Sequence, residues 1–170
     1  PVYNMAAEGK LNYCLDSLVG QTIRGLYDYE ILCVDDASTD DSLEILLELA
    51  DVSGWNIIST GGVMKEGYLA FLGSKTDESI RSYYVDKVII SCKALDQEWG
   101  IMESQEAFGS TKRAMMKSGR KKILVIDSTK FDQKAFSVAG SMKEVDMVVT
   151  DKRPEDRWRI YFEKLGIECR

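Results

Sequence analysis

The chain has 170 residues, 45% of them hydrophobic, which is enough for one core of ordinary size. Its formal net charge of −6 has the wrong sign for binding nucleic-acid phosphates over a broad surface, so any DNA-binding part is expected elsewhere. Histidine is absent, which excludes Ser-His-Asp and Cys-His triads and removes the commonest metal ligand. No apolar stretch approaches the roughly 20 residues of a membrane span, and no secretory signal is present. These features predict a soluble, cytoplasmic protein.

The four cysteines lie far apart in the sequence, at Cys14, Cys33, Cys92 and Cys169. Their spacing matches neither a zinc site nor a dense disulfide framework, so they are interpreted mainly as small core hydrophobes. Charge is distributed unevenly, because residues 1–50 carry 10 acidic and 2 basic side chains whereas the rest has a slight excess of bases. This asymmetry indicates a seam near residue 50.

The first fifty residues predict a strand, a helix, a strand and a helix. Apolar residues at helical spacing from Leu11 to Val19 indicate the first helix, which ends near Gly20. Residues 29–34 form a short apolar run ending in Asp35-Asp36, the pattern of a buried strand that carries polar groups at its carboxyl end. A second helical stripe follows over residues 43–50.

The remaining residues predict a further alternation of strands and helices. Strands are expected at residues 55–59, 87–91, 122–127 and 145–150, and a short one at the end of the chain. Helices are expected at residues 74–84 and 106–118, and from Pro154 onward, where aromatic residues share one face. This alternation favours a three-layer α/β fold with a mostly parallel sheet and helices on both faces, in a single domain over residues 1–170.

Polar clusters follow several predicted strands, and ligands of such sheets gather at the carboxyl ends of the strands. The clusters are Asp35-Asp36, Thr60-Gly61-Gly62, Ser91-Cys92-Lys93 and Asp127-Ser128-Thr129-Lys130. The last one combines a carboxylate, hydroxyls and an ammonium group, which suits a sugar hydroxyl or a phosphate. Ordinary turn capping by Asp127 and Ser128 is the alternative.

Several motifs taken together resemble the C-terminal sugar-phosphate sensor domain of DeoR-family transcriptional regulators, over about residues 52–170. The motifs are residues 83–96, Gly100-Ile101 with Ser104 and Glu106-Ala107-Phe108, Thr111-Lys112-Arg113-Ala114-Met115, and residues 125–132 and 145–151. The resemblance implies a fold similar to ribose-5-phosphate isomerase and a phosphorylated sugar as effector. By the same resemblance, the effector pocket would be lined by Gly61, Gly62, Lys93, Asp96, Glu106, Lys112, Asp127 and Lys130.

The chain departs from that family in two respects. It contains no Asp-Ser-Gly-Thr/Ser-Thr phosphate loop and no winged helix, so DNA would be bound only through a domain absent from this chain. The expected function is therefore that of an effector-binding domain with no catalytic residue, cofactor or metal ion, and self-association into a homo-oligomer is left open. Residual isomerase chemistry, with Glu106 as base and Lys130 on the phosphate, is a lesser alternative.

Residues 1–50 resemble the start of a family 2 glycosyltransferase instead. The resemblance is carried by residues 1–4, 14–18, 21–22 and 29–40. It implies a nucleotide-sugar site in which Tyr3 and Asp35 or Asp36 hold the uridine, although capping of the following helix is the favoured explanation of the acidic pair. No later Asp-x-Asp metal motif follows, so a nucleotide-sugar-binding fragment is the alternative function. The two resemblances together indicate a chimeric chain.

Overall fold

The computed structural model describes residues 58–65 and 70–170. The elements in this part of the chain are β1 (Val63–Lys65), β2 (Ala70–Leu72), α1 (Ser74–Arg81), β3 (Val85–Ile90), β4 (Ala94–Asp96), β5 (Gly100–Glu103), α2 (Glu106–Lys117), β6 (Gly119–Val125), β7 (Ser137–Gly140), β8 (Met147–Val149), α3 (Asp156–Leu165) and β9 (Glu168–Cys169). Two short 3-10 turns occupy Ser128–Lys130 and Met142–Glu144.

The chain divides into two compact units, Pro1–Phe71 and Leu72–Arg170. In the first unit the described residues include β1, which pairs with the adjacent β2 in a two-stranded sheet. The elements predicted for residues 1–50, and most of the strand predicted at 55–59, lie outside the described residues. The prediction of a single domain over residues 1–170 stays a prediction.

A four-stranded parallel sheet forms the centre of the second unit, with the strand order β3-β6-β8-β9. Ile90 pairs with Leu124, Val125 with Val149, and Val148 with Cys169, so the carboxyl ends of the four strands lie at one edge. β-branched residues such as Val88 and Ile90 favour extended backbone, and these two side chains are buried. The α/β fold class with a mostly parallel sheet is thereby confirmed.

A second sheet is antiparallel, with the order β4-β5-β7, and the sequence did not predict it. All four residues of β5 are buried, so the alternation that marks a half-exposed strand is missing. The turn into β5 needs Gly100, which has φ of 77° and whose added Cβ would lie 2.5 Å from the Gly140 carbonyl oxygen. Short strands joined by such close turns leave little periodic signal in a sequence.

The core of this unit lies where α2 and α3 pack against the strands. α2 contacts both sheets, and α3 buries Trp158 and Phe162, each only 1% exposed. α3 ends at Gly166 in the left-handed conformation, as its sequence predicted. It begins at Asp156 rather than at Pro154, and α1 ends at Arg81 rather than at residue 84. Helix ends are the least determined part of a periodic pattern.

Candidate functional site

Three neighbouring strands deliver polar groups to the carboxyl edge of the parallel sheet. β3 is followed by Ser91-Cys92-Lys93, β6 by residues 126–130, and β8 by Thr150-Asp151. In α/β sheets this edge is where ligands bind, because loops and strand ends supply polar groups without interrupting the core. Two of the predicted clusters, the one at Lys93 and the one at Asp127 to Lys130, therefore lie at the same edge.

The β6 loop is organised by Asp127. Its carboxylate accepts from the Thr129 backbone N at 2.9 Å and from the Thr129 hydroxyl, and its Oδ2 lies 3.6 Å from Lys130 Nζ. The Thr129 hydroxyl bond, the Thr129 backbone bond and the Lys130 charge hold the pKa of Asp127 below its ordinary value, against some desolvation. Asp127 thus caps its own turn, as the alternative interpretation of the sequence expected, and at the same time faces a lysine.

Asp151, at the end of β8, ties the loops of β6 and β8 together. It accepts from the Ser128 backbone N at 2.6 Å and from Ser128 Oγ at 3.3 Å. The Ser128 backbone bond is the main reason that the pKa of Asp151 lies below its ordinary value. Asp151 was not among the predicted site residues, although it stands at a strand end exactly as Asp127 does.

A buried ion pair lies close to the β3 end. Glu103, 5% exposed, forms an ion pair with Lys112 of α2 and accepts from the Lys93 backbone N at 3.2 Å. Lys112 is therefore neutralised locally, while the Lys93 side chain is exposed. The sequence did not predict Glu103 as a site residue. The one feature that could have indicated it is an acidic residue at the end of an otherwise apolar strand.

Cys92 lies among these charged groups. Its thiol is buried, and desolvation raises its pKa to about 12, with Lys112 lowering it, Glu103 raising it and Lys130 lowering it by smaller amounts. Three charged side chains from three different elements therefore act on one thiol. Of the predicted residues, Lys112 pairs with Glu103, whose carboxylate also accepts from the Lys93 backbone N, and Lys130 pairs with Asp127.

Asp96 lies beside the β6 loop, because Leu95 forms a bridge with Phe131, the residue after Lys130. Its carboxylate accepts from the backbone N of Glu98 and of Trp99, both at 2.9 Å. The bond from Trp99 is the main reason that the pKa of Asp96 lies below its ordinary value. Asp96 therefore shapes the turn into β5.

Glu106 is directed to the antiparallel sheet instead of the strand ends. One carboxylate oxygen forms an ion pair with Arg113, and the other accepts from the hydroxyl of Ser137 in β7. The Ser137 bond is the leading cause of its lowered pKa. One oxygen thus pairs within α2 and the other joins α2 to β7, which gives Glu106 a structural role in this arrangement.

The other predicted residues are not in this unit's described site. Gly61 and Gly62 belong to the first unit and have φ of 63° and 120°, values that favour glycine. Tyr3, Asp35 and Asp36 lie outside the described residues. Within residues 58–65 and 70–170 no cluster of His, Cys, Asp and Glu suits a metal ion, and no helix is long and apolar enough to cross a membrane.

Comparison with known protein families shows where the chain belongs. The model of the DeoR C terminal sensor domain matches residues 39–152, which is more than half of the chain. The chain belongs to the DeoR sensor domain family. The glycosyl transferase family 2 model also matches, over residues 1–60. The sensor match begins earlier and ends earlier than the resemblance drawn from the motifs at residues 52–170.

Curated relatives of this sensor domain are transcriptional regulators by name. The HTH-type regulator YulB of Bacillus subtilis is 32% identical over 111 residues, which are 65% of this chain and 43% of the relative. The L-fucose operon activator of Haemophilus influenzae is 29% identical, over 70% of this chain and 48% of the activator. The repressor GlcR of Bacillus subtilis is 27% identical, over 79% of this chain and 52% of GlcR. The chain thus spans about half the length of these relatives.

Proposed function

We propose that this sensor domain binds a phosphorylated sugar at the carboxyl edge of its parallel sheet, in the loops after β3 and β6. The observation that carries the proposal is that Lys93 and Lys130 follow the neighbouring parallel strands β3 and β6 at one edge of the sheet, where the Lys93 side chain is exposed. Ligands of open α/β sheets bind outside the carboxyl ends of the strands, and a lysine ammonium group there can pair with a phosphate.

The four groups of the β6 loop have complementary tasks in this proposal. Lys130 supplies a point charge for the phosphate, and the hydroxyls of Ser128 and Thr129, which donate to Asp151 and Asp127, accept from sugar hydroxyls. Asp127 accepts from a sugar hydroxyl while it holds the turn. Asp151 keeps Ser128 in place from the neighbouring strand.

Lys112 acts less directly, because Glu103 already neutralises it. We assign it, together with Glu103, the task of fixing the Lys93 backbone at the end of β3. The neutralised pair leaves Lys93 and Lys130 as the cations that contact the ligand.

In the whole protein, effector binding would regulate transcription, as the names of the relatives indicate for those proteins. We propose that DNA is contacted by a helix-turn-helix domain outside residues 1–170, that the protein acts in the cytoplasm and that it assembles as a homo-oligomer. These assignments rest on family membership, and the ligand site rests on the geometry above.

Calorimetric titration with matched sugars tests the ligand site. Ribose 5-phosphate and glucose 6-phosphate are compared with ribose and glucose, so that the phosphate is the only difference within each pair. Lys130→Ala is expected to weaken binding of the phosphorylated member about tenfold or more, since a charge-assisted hydrogen bond is lost.

Lys143→Ala is the matched control, because Lys143 is an exposed lysine that precedes β8 and so lies toward the opposite edge of the sheet. It should leave the affinity unchanged. Equal weakening by both variants, or the same affinity for a sugar and its phosphate ester, would contradict the proposal.

The glycosyltransferase match over residues 1–60 supports a second candidate, a nucleotide-sugar-binding segment that uses Tyr3 with Asp35 or Asp36. Thermal stabilisation by UDP that increases with Mn²⁺ and is lost in Asp35→Asn and Asp36→Asn would favour it. Sugar phosphates without a nucleotide should then give no shift.

A further inference from the structure

A surface cleft outside the proposed effector site lies at the ends of β8 and β9. Its volume is about 450 Å³, and the side chains that matter along it are Asp151, Lys152, Arg153, Arg159, Cys169 and Arg170. We call it the basic cleft. Small-molecule sites have volumes of roughly 300–1,000 Å³, so the basic cleft is large enough for a compact organic anion.

Four of these side chains are cationic, and the single acid among them is already engaged. Asp151 accepts two hydrogen bonds from Ser128, which lies on the β6 side of the edge. Within the described ranges, neither Lys152 nor Arg153 has an ion-pair partner inside 4.0 Å. Their charges are therefore available to a ligand.

The other two cations have partners that an anion can replace. Arg159 pairs with Asp156 at 2.6 Å, and Arg170 pairs with Glu168 at 2.6 Å. Asp156 is 86% exposed and Glu168 46% exposed, so both pairs are solvated and contribute little. A doubly charged oxyanion offers a guanidinium group a bidentate contact that is stronger than such a surface pair.

The backbone holds the cleft in shape. Thr150 N donates to the Arg170 carbonyl at 3.0 Å, and Arg170 N donates to the Val148 carbonyl at 2.9 Å. Arg170 is thus fixed across from the loop that carries Lys152 and Arg153. Because all four cations line the same cleft, a bound anion would reduce the repulsion between them.

We propose that the basic cleft is a second anion-binding site that takes a phosphate group or a phosphate ester. It adjoins the proposed effector site at Asp151, whereas the effector contacts proposed above come from the ends of β3 and β6. Arg153 and Arg170 provide the bidentate contacts, and Lys152 provides a further charge. The site does not require the sugar-phosphate proposal to hold.

Titration of the full chain with inorganic phosphate, followed by amide NMR, tests this site at constant ionic strength. Saturable shifts are expected at the amides of residues 150–153 and 170. Arg153→Ala should weaken this binding about tenfold, because a charge-assisted bidentate contact is lost. Arg120→Ala, at the opposite edge where Arg120 pairs with the exposed Asp86, is the matched control and should change nothing.

Cys169 gives an independent readout, since its thiol lines the basic cleft and is exposed. Phosphate should slow alkylation of Cys169, measured by peptide mass spectrometry, in the wild type but not in Arg153→Ala. Amide chemical shifts that change linearly with phosphate concentration without saturating, and by as much as with chloride, would overturn the proposal. Loss of phosphate binding in Lys130→Ala with Arg153→Ala unaffected would also overturn it, and would leave the effector site intact.

Discussion

Among single residues, the buried pair of Glu103 and Lys112 joins the candidate site to the core. Lys112→Met leaves the Glu103 carboxylate buried without its partner and is expected to cost about 3 kcal/mol of unfolding free energy. The double variant Glu103→Gln with Lys112→Met should recover most of that loss, because Gln keeps an acceptor for the Lys93 N–H and carries no charge. Urea unfolding of the two single variants and the double variant measures this, and strictly additive effects would contradict it.

The two described cysteines should differ sharply in reactivity. Burial raises the pKa of Cys92 to about 12, so at about pH 8 only roughly one thiol in ten thousand is ionised. Cys169 is exposed. Iodoacetamide is therefore expected to modify Cys169 long before Cys92, with both modified equally after denaturation. Comparable native rates, measured by peptide mass spectrometry, would show that Cys92 is accessible.

Individual site residues were predictable only where a strand end and a polar cluster coincide. Lys93, Asp127 and Lys130 met both conditions, and they lie at one edge. Glu103 was not predicted, because its burial depends on Lys112, which lies nine residues away on another element. Glu106 was chosen from the family motif, and its bond to Ser137 depends on β7, a strand that the sequence did not predict.

At the scale of elements, acidic side chains hold two turns of the site and make its stability depend on pH. Asp96 and Asp127 each accept backbone N–H bonds, and the pKa of each is lowered below 3.8 in the folded chain. The stability they contribute is present above the unfolded value of about 3.8 and is lost as the pH falls through the lower folded values.

Chemical denaturation at a series of pH values is expected to show this loss. Asp127→Asn should make the acid limb of the curve shallower, because the amide oxygen still accepts from Thr129 but no longer titrates in this range. A limb as steep as that of the wild type would mean that other carboxylates dominate.

α3 supports the site by packing against the loop that follows β6. Trp158 packs edge-to-face on Phe131 with ring centroids 5.1 Å apart, and its Nε1 donates to Asp132 at 3.1 Å. Trp158→Ala should destabilise the protein by about 3–5 kcal/mol. Ile160→Ala, on the same helix but 50% exposed, should cost less than about 0.5 kcal/mol. Thermal unfolding compares the two, and similar losses would contradict the assigned core.

Elements with a clear period were predicted well, and elements defined by contacts were not. The helical stripe of α3 and the apolar runs of β3 and β6 are properties of local sequence. The strands β4, β5 and β7 are three or four residues long and exist through pairing with one another, including a register shift between Ile101 and Met102. Nothing local in such short segments distinguishes strand from loop.

For the whole molecule, the two family matches overlap at residues 39–60. The seam predicted from charge near residue 50 falls inside that overlap. The sensor match and the parallel sheet assign the second unit to one family. In the first unit, residues are matched partly by the sensor model and partly by the glycosyltransferase model. Effector binding is therefore expected to affect mainly the loops of the second unit.

Hydrogen exchange of the full chain with and without ribose 5-phosphate tests the central claim most directly. Binding at the carboxyl edge predicts slower exchange at residues 91–93 and 127–130, and no change around Lys143 at the other edge. The protection should disappear in Lys130→Ala. Protection confined to residues outside these two loops, or protection of residues 91–93 and 127–130 that survives in Lys130→Ala, would contradict a sugar-phosphate site in this sensor domain.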